Sequence, residues 1–350
     1  MAKKRPDFDL HIGPQPITRR GANPYKGTKP KKSRVRDVGM TPARMQRILN
    51  RAPEAVVRIT GGTWGAKHLA AHLGYIHRHG KLEGETSDGS LVIGADEVRA
   101  LAKEWFARRE VGPNGRQERS KETVNIVFSM PSGTPRAVVT EATRSAATRI
   151  FGGQFDYVMV THTDTDDPHV HVTALARGLQ GQRLLPNPED LHRWRETFAE
   201  ELRLRGVEAE ATPRELRGVV QVTPRNAVYQ IEKRLTKQGG LAEVRVEELH
   251  EAVLTVTGQL ERGERPWENA TKKRLARVQA GWIAYAEKIE QLGDPMLNEQ
   301  ARQIREFVAA MPEPLTRRER VERDVGQAMG VRTPGVEHSE SRSWDEQGRG

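Results

Sequence analysis

Three imidazoles and three carboxylates crowd into ten residues of this 350-residue chain: His162-Thr163-Asp164-Thr165-Asp166-Asp167-Pro168-His169-Val170-His171. Imidazole nitrogens ligate divalent metals, and carboxylates beside ligating imidazoles fix their tautomers and raise their basicity. The flanks Tyr157-Val158-Met159-Val160 and Val172-Thr173-Ala174-Leu175 read as two strands joined by an acidic turn that Pro168 closes. Side chains alternate along a strand, so His169 and His171 share one face and Val170 and Val172 the other. His162 ends the preceding strand and meets that pair if the strands are neighbours. Three imidazoles converging in this way make a facial metal site with positions open to water and substrate. A lone His-x-His on a strand is usually a half-exposed pair; the third histidine and Asp164, Asp166 and Asp167 favour the metal site. Such a site is a Lewis acid, which does not by itself name a substrate.

The elements that must position these residues are legible in part. Residues 55–60 form a first strand ending at Gly61-Gly62, and residues 66–79 a helix with Leu69, Leu73 and Ile76 as its apolar stripe and Gly80 as its stop. His68, His72, Tyr75 and His79 follow i, i+4, i+7, i+11 spacing and lie on one face beside the stripe. From periodicity alone this is amphipathic packing of Tyr75 with solvated histidines. A helix over 95–109 carries Val98, Leu101, Trp105 and Phe106. Residues 123–130 make a strand, and Pro131-Ser132-Gly133 leads into a helix to Phe151 that Thr134 caps, with Pro135 in its first turn. Another helix over 188–205 carries Leu191, Trp194 and Phe198. The interleaving predicts an α+β fold, an antiparallel central sheet flanked by helices, with a C-terminal helical extension.

Composition narrows the chemistry. With no cysteine among its residues, the chain can neither form disulfides nor offer thiolates to a metal, so ligands must be histidine and carboxylate. Of 57 Lys and Arg, 13 lie in residues 1–50 against 3 Asp, which carries the whole net charge of +10. The remainder is balanced, so a nucleic-acid partner must be held by a local basic groove. No apolar run reaches the length of a membrane span and the N-terminus lacks a secretory apolar core, so a cytoplasmic protein without membrane insertion is expected. No Gly-x-x-x-x-Gly-Lys-[Ser/Thr] loop is found, which leaves ATP use unsupported.

Residues 1–52 read as a disordered basic arm, too poor in apolar side chains to offset ordering entropy. Residues 53–225 hold the strand and helix pattern. Residues 226–311 change to charged helical patterns, with helices over 225–238, 244–262, 268–292 and 295–310, and residues 312–350 form a flexible tail.

In order and spacing, Gly74-Tyr75-Ile76-His77-Arg78-His79-Gly80-Lys81, then Ile126-Val127-Phe128-Ser129-Met130-Pro131-Ser132-Gly133-Thr134, then the His162 to His171 turn resemble the three motifs of tyrosine relaxases. These are the His-hydrophobic-His (HUH) endonucleases of conjugative and mobilisable plasmids, here of the MobP class and closest to the VirD-type relaxases of T-DNA transfer. Arg214-Glu215-Leu216-Arg217-Gly218 resembles a basic stretch that follows the core in that subgroup. The resemblance spans about residues 55 to 225. It implies the HUH relaxase fold, with Tyr75 as nucleophile and His162, His169 and His171 as ligands of a divalent metal, Mg or Mn. It implies Asp166 and Asp164 as groups that orient a ligand or take the phenol proton, Asp166 ahead of Asp164, and Ser129, Arg78, Lys81, Arg214 and Arg217 beside DNA. Asp167, His68 and His72 have no clear counterparts.

The implied activity is nicking of single-stranded DNA at a transfer origin through a reversible 5′-phosphotyrosyl link, followed by piloting of the strand. Relaxosome accessory proteins and a type IV secretion coupling protein are the implied partners, with translocation alongside the DNA. A rolling-circle initiator or transposase shares this chemistry, although in its simpler members the tyrosine follows the histidine pair. A non-catalytic DNA-binding accessory protein would explain the basic arm and the helices alone.

Overall fold

The computed structural model describes residues 41–108, 121–212, 214–217, 240–261, 263, 266–313 and 315–331, with isolated positions 231, 234 and 235. The described chain forms two compact units that divide between Thr212 and Arg214.

The first unit runs α1 (Pro42–Leu49), β1 (Val56–Gly61), α2 (Gly65–Ile76), β2 (Gly84–Thr86), β3 (Leu91–Val92), α3 (Gly94–Ala107), β4 (Thr123–Ser129), α4 (Arg136–Phe151), β5 (Tyr157–His162), β6 (His169–Leu175) and α5 (Pro188–Arg203). Its six strands form one antiparallel sheet in the order β1-β4-β6-β5-β2-β3. Alternation sorts the side chains between two cores. Ile126, Phe128, Val170 and Val172 pack under α4 and α5, where Phe128 meets Phe198 edge-on and Phe151 meets Trp194. Val158 and Val160 pack on the opposite face under Leu69, Leu73 and Ile76 of α2 and Leu101 and Trp105 of α3. This second face carries the three histidines.

The expected α+β sheet is present, with several corrections. The short strands β2 and β3 were not expected; two and three residues are too few to show alternation. Thr134 does not cap α4: Pro135 occupies the N-cap position, and the Thr134 hydroxyl donates back to the Pro131 carbonyl at 2.9 Å. Part of the expected disordered arm is folded. Thr41 caps α1, whose Met45 and Ile48 are fully buried. The helix is drawn in by charge as well, since the buried Glu210 carboxylate accepts from Arg47 at 2.8 Å and lies 3.2 Å from Arg44, a pairing that sequence separation conceals. Residues 1–40 of that arm lie outside the described residues.

The second unit begins with a 3-10 turn (Arg214–Arg217), followed by α6 (Glu243–Val256), α7 (Pro266–Glu290), α8 (Pro295–Ala309) and α9 (Arg317–Met329). Three of the expected helices correspond to α6, α7 and α8; the one over 225–238 lies outside the described residues apart from isolated positions. The expected tail contains α9, fixed by a capping box in which Thr316 and Glu319 satisfy each other's backbone N–H groups. Residues 332–350 lie outside the description. Among the described residues no helix is long and apolar enough to cross a membrane.

Replacing Glu210 by Gln leaves Arg44 and Arg47 without their buried counter-charge. Breaking a buried pair in this way costs about 3 kcal/mol, so Glu210→Gln should lower the first urea transition of the full chain followed by circular dichroism. An unchanged midpoint would show that α1 does not depend on this ion pair.

Candidate metal and nucleophile site

Pairing of β5 with β6 places His162 directly opposite His169, with Val160 opposite His171. On the other side of β6, Ser129 lies opposite His169 and Val127 opposite His171. The three imidazole centroids are 4.2 to 5.3 Å apart, and one nitrogen from each ring lies within 4.8 Å of the others. Two tautomers are set by backbone carbonyls. His162 Nε2 donates to Ile76 O at 2.7 Å, which puts its lone pair on Nδ1; His169 Nδ1 donates to Asp167 O at 3.0 Å, which puts its lone pair on Nε2. Imidazoles held in this way, one nitrogen of each close to the other two, could hold a divalent cation.

Burial keeps His162 and His171 neutral. His171 is pushed down to about 3, chiefly by desolvation and then by repulsion from His162 and His169. His162, fully buried, is lowered for the same first reason. His72 is pushed down to about 4, again by desolvation first, and its Nε2 lies 2.9 Å from Thr173 Oγ1 on the same sheet face.

The acidic turn is fastened rather than free. Arg136, at the start of α4, donates to His162 O at 2.8 Å and to Thr165 O at 3.0 Å. Asp167 accepts from the Ser132 N–H at 3.0 Å, and Met130 N–H donates to Pro168 O at 3.1 Å. The second sequence motif thus braces the third. Asp167, the carboxylate without a family counterpart, bonds this brace, and Arg136 is a positioning residue that no spacing in the sequence singles out.

Tyr75 sits in the last turn of α2 and is 56% exposed. The helix ends one residue later, short of residue 79, because Arg78, His79 and Gly80 all take positive φ, at 49°, 59° and 87°. Two consecutive non-glycine residues in that region are strained, and strain of this kind persists only where surrounding bonds hold it. Here the turn swings Arg78 back over the site. Its guanidinium lies 5.0 Å from the Tyr75 ring centroid, donates to the Tyr75 carbonyl at 3.2 Å, reaches His162 Nδ1 at 3.1 Å and binds Asp164 at 2.5 Å. That bond holds the Asp164 carboxyl below the usual carboxylate range. Asp164 also lies 3.8 Å from His162 Nδ1. One guanidinium therefore ties Tyr75, His162 and Asp164 together.

The remaining expected residues are distributed differently. Asp166 is exposed and forms no hydrogen bond among the described residues. Lys81 is exposed on the turn after Arg78. Arg214 and Arg217 belong to the second unit, whose Trp282 donates to the Leu216 carbonyl at 2.9 Å. His77 is fully buried, with Nδ1 donating to Leu73 O and Nε2 facing Gly84, where a Cβ would approach it to 2.4 Å.

Residues 75–206 match the family described as relaxase, MobA/VirD2-like, nuclease domain, and the match begins at Tyr75 itself. T-DNA border endonuclease VirD2 of Rhizobium radiobacter is 30% identical over 185 residues, covering 48% of this chain and 44% of that protein. The proteins of the same name from Rhizobium rhizogenes and Agrobacterium fabrum are 34% and 32% identical over 142 residues, covering 37% of this chain and 32% and 31% of theirs. The segment around the histidine triad is thus similar to relaxase nuclease domains of the MobA/VirD2 type. The chain spans less than half the length of the curated relatives it matches.

Two outcomes follow. A Cβ on Gly80 would approach Ala95 N to 2.3 Å at a φ of 87°, so Gly80→Ala should destabilise the first unit by about 1–3 kcal/mol and weaken Mn²⁺ binding in calorimetry; wild-type values for both would remove the turn from the site. In the unfolded chain His72 and His171 take protons near 6.5, but in the fold only near 4 and 3. Their stabilising contribution is complete above pH 6.5 and declines as pH falls towards those values. With chelator present, Tm should drop from pH 7 to pH 4.5, and His72→Asn should flatten that slope; an equal slope in both proteins would contradict it.

Proposed function

We propose that the chain is a DNA relaxase that nicks single-stranded DNA at a transfer origin or border and holds the cut strand through Tyr75. The observation that carries this reading is the bridging of Tyr75 to His162 and Asp164 through Arg78, beside three imidazoles that each bring one nitrogen within 4.8 Å of the others. The T-DNA border endonucleases similar to this chain support it.

His162, His169 and His171 would hold the cation, and their donor set and tautomers suit a divalent ion, here assigned as Mg²⁺ or Mn²⁺. When bound, such an ion offsets charge growing on the oxygens of the scissile phosphate. The exposed phenol of Tyr75 approaches the phosphorus; its oxygen forms the new P–O bond while the bond to the 3′ oxygen breaks. The phenol proton leaves to a carboxylate or to water, and the departing 3′ oxygen takes a proton to become a hydroxyl. Asp164 is the better placed carboxylate, since Arg78 holds it within the site, whereas Asp166 faces solvent. The guanidinium of Arg78 over the Tyr75 ring favours the phenolate as it forms. The tyrosyl link remains a phosphodiester, so attack by the 3′ hydroxyl regenerates the strand without ATP. Ser129, opposite His169, lines the same face beside the strand. Relaxosome accessory proteins and a type IV coupling protein are the partners this role requires, acting in the cytoplasm before the strand is exported.

The test uses the full chain with labelled single strand from its own transfer-origin region and Mg²⁺ or Mn²⁺, followed by denaturation. Label should remain attached to wild-type protein and be lost in both Tyr75→Phe and His169→Ala. An adduct that survives Tyr75→Phe would assign another nucleophile and overturn the reading.

A further inference from the structure

Helix α2 presents a second exposed aromatic side chain at the end opposite Tyr75. Trp64 occupies its N-cap position and is 51% exposed. Eleven residues separate Trp64 from Tyr75, which at 3.6 residues per turn returns to nearly the same face, about 16 Å along the axis. His68 and Ala71 lie on the strip between them and are exposed, and Gly74 adds no side chain to it. The path from the indole to the phenol is therefore low and open.

Trp64 is also furnished with polar neighbours. Its ring stacks on His68 at 5.9 Å with an interplanar angle of 21°, and Lys121 Nζ lies 5.4 Å from the ring centroid. The backbone N–H of Trp64 donates to His68 Nδ1 at 3.4 Å, which steadies the imidazole beside the indole. Lys67 on α2 and Arg58 on β1 are exposed as well. Neither buried core of the first unit uses the indole. An exposed aromatic plane with a flexible cation at its face matches one repeating unit of a single strand, a flat base followed by a phosphate.

The geometry points to Trp64, backed by His68, as a base-stacking platform, with Lys121 as its phosphate contact, gripping a nucleotide a few positions from the phosphate presented to Tyr75. This rests on the reading that the chain acts on single-stranded DNA at Tyr75. Trp64 is a positioning residue in this scheme: it touches none of the reacting atoms and sets how the strand lies along α2. Every base has a π face, so the grip tolerates any sequence and leaves recognition of the nick site to other groups.

The experiment measures binding of the full chain, by anisotropy, to a labelled thymidine homopolymer of about 20 nucleotides and to an abasic strand of equal length. Wild type should prefer the strand with bases by about tenfold. Trp64→Ala should lose most of that preference while binding the abasic strand as wild type does, and Trp64→Phe should restore it. Lys121→Gln should weaken both strands alike and shallow the salt dependence. A base preference that survives Trp64→Ala overturns the platform alone, as does equal weakening of both strands, the mark of a merely structural residue. Failure of wild type to bind either strand overturns the platform together with the proposed function.

Discussion

A slip of one residue in the pairing of β5 with β6 would turn His169 and His171 towards α4 and α5, and the site would cease to exist. The register is held from several directions. Val158 and Val160 on one face, and Val170 and Val172 on the other, each enter a different core, so a slip of β6 would drive His169 and His171 into the core under α4 and α5 and take Val170 and Val172 out of it. The turn between the strands cannot lengthen or shorten either. Arg136 takes two of its carbonyls, and Asp167 and Pro168 are bonded to the loop that follows β4. The polar bonds at the mouth of the hairpin and the apolar burial further along it enforce the same alignment.

Arg78 joins that rigid hairpin to the Tyr75 phenol. Ending α2 at Ile76 with residues in the left-handed region is locally unfavourable, and the bonds Arg78 makes with His162, Asp164 and the Tyr75 carbonyl offset the strain. Gly80 completes the turn where only a glycine fits against Ala95. Ile76 contributes at both levels, its side chain packed in the core and its carbonyl fixing the tautomer of His162. The helix that bears the phenol and the strands that bear the imidazoles are therefore locked by the same few atoms.

Burial has an electrostatic consequence that would suit a metal. Desolvation holds His162 and His171 in their neutral form, in which a lone pair is available, and mutual repulsion of the rings acts in the same direction. His72, bonded to Thr173 beside them, is lowered too and adds no charge at neutral pH. A cation entering the triad would meet neutral imidazoles at His162 and His171, and would take over the His162 nitrogen that Arg78 now contacts at 3.1 Å.

Much of this was legible in the order of residues. Alternation along β6 put His169 and His171 on one face, the apolar stripe of α2 was read at Leu69, Leu73 and Ile76, and three ordered motifs pointed to a relaxase, because strand and helix periods are local properties of the chain. Other features were invisible there. The ends of helices depend on a bond such as Arg78 to Asp164, the folding of α1 depends on Glu210 lying far along the chain, and β2 and β3 are too short to carry a period. The carboxylate roles also divided only in space: Asp164 meets Arg78, Asp167 holds Ser132, and Asp166 faces solvent, although all three sit in one short turn. Residue type and spacing determined which chemistry the chain can perform, since ligand sets and periodicity are written locally. Tertiary structure alone decided which group meets which, because those meetings depend on contacts between segments distant in sequence.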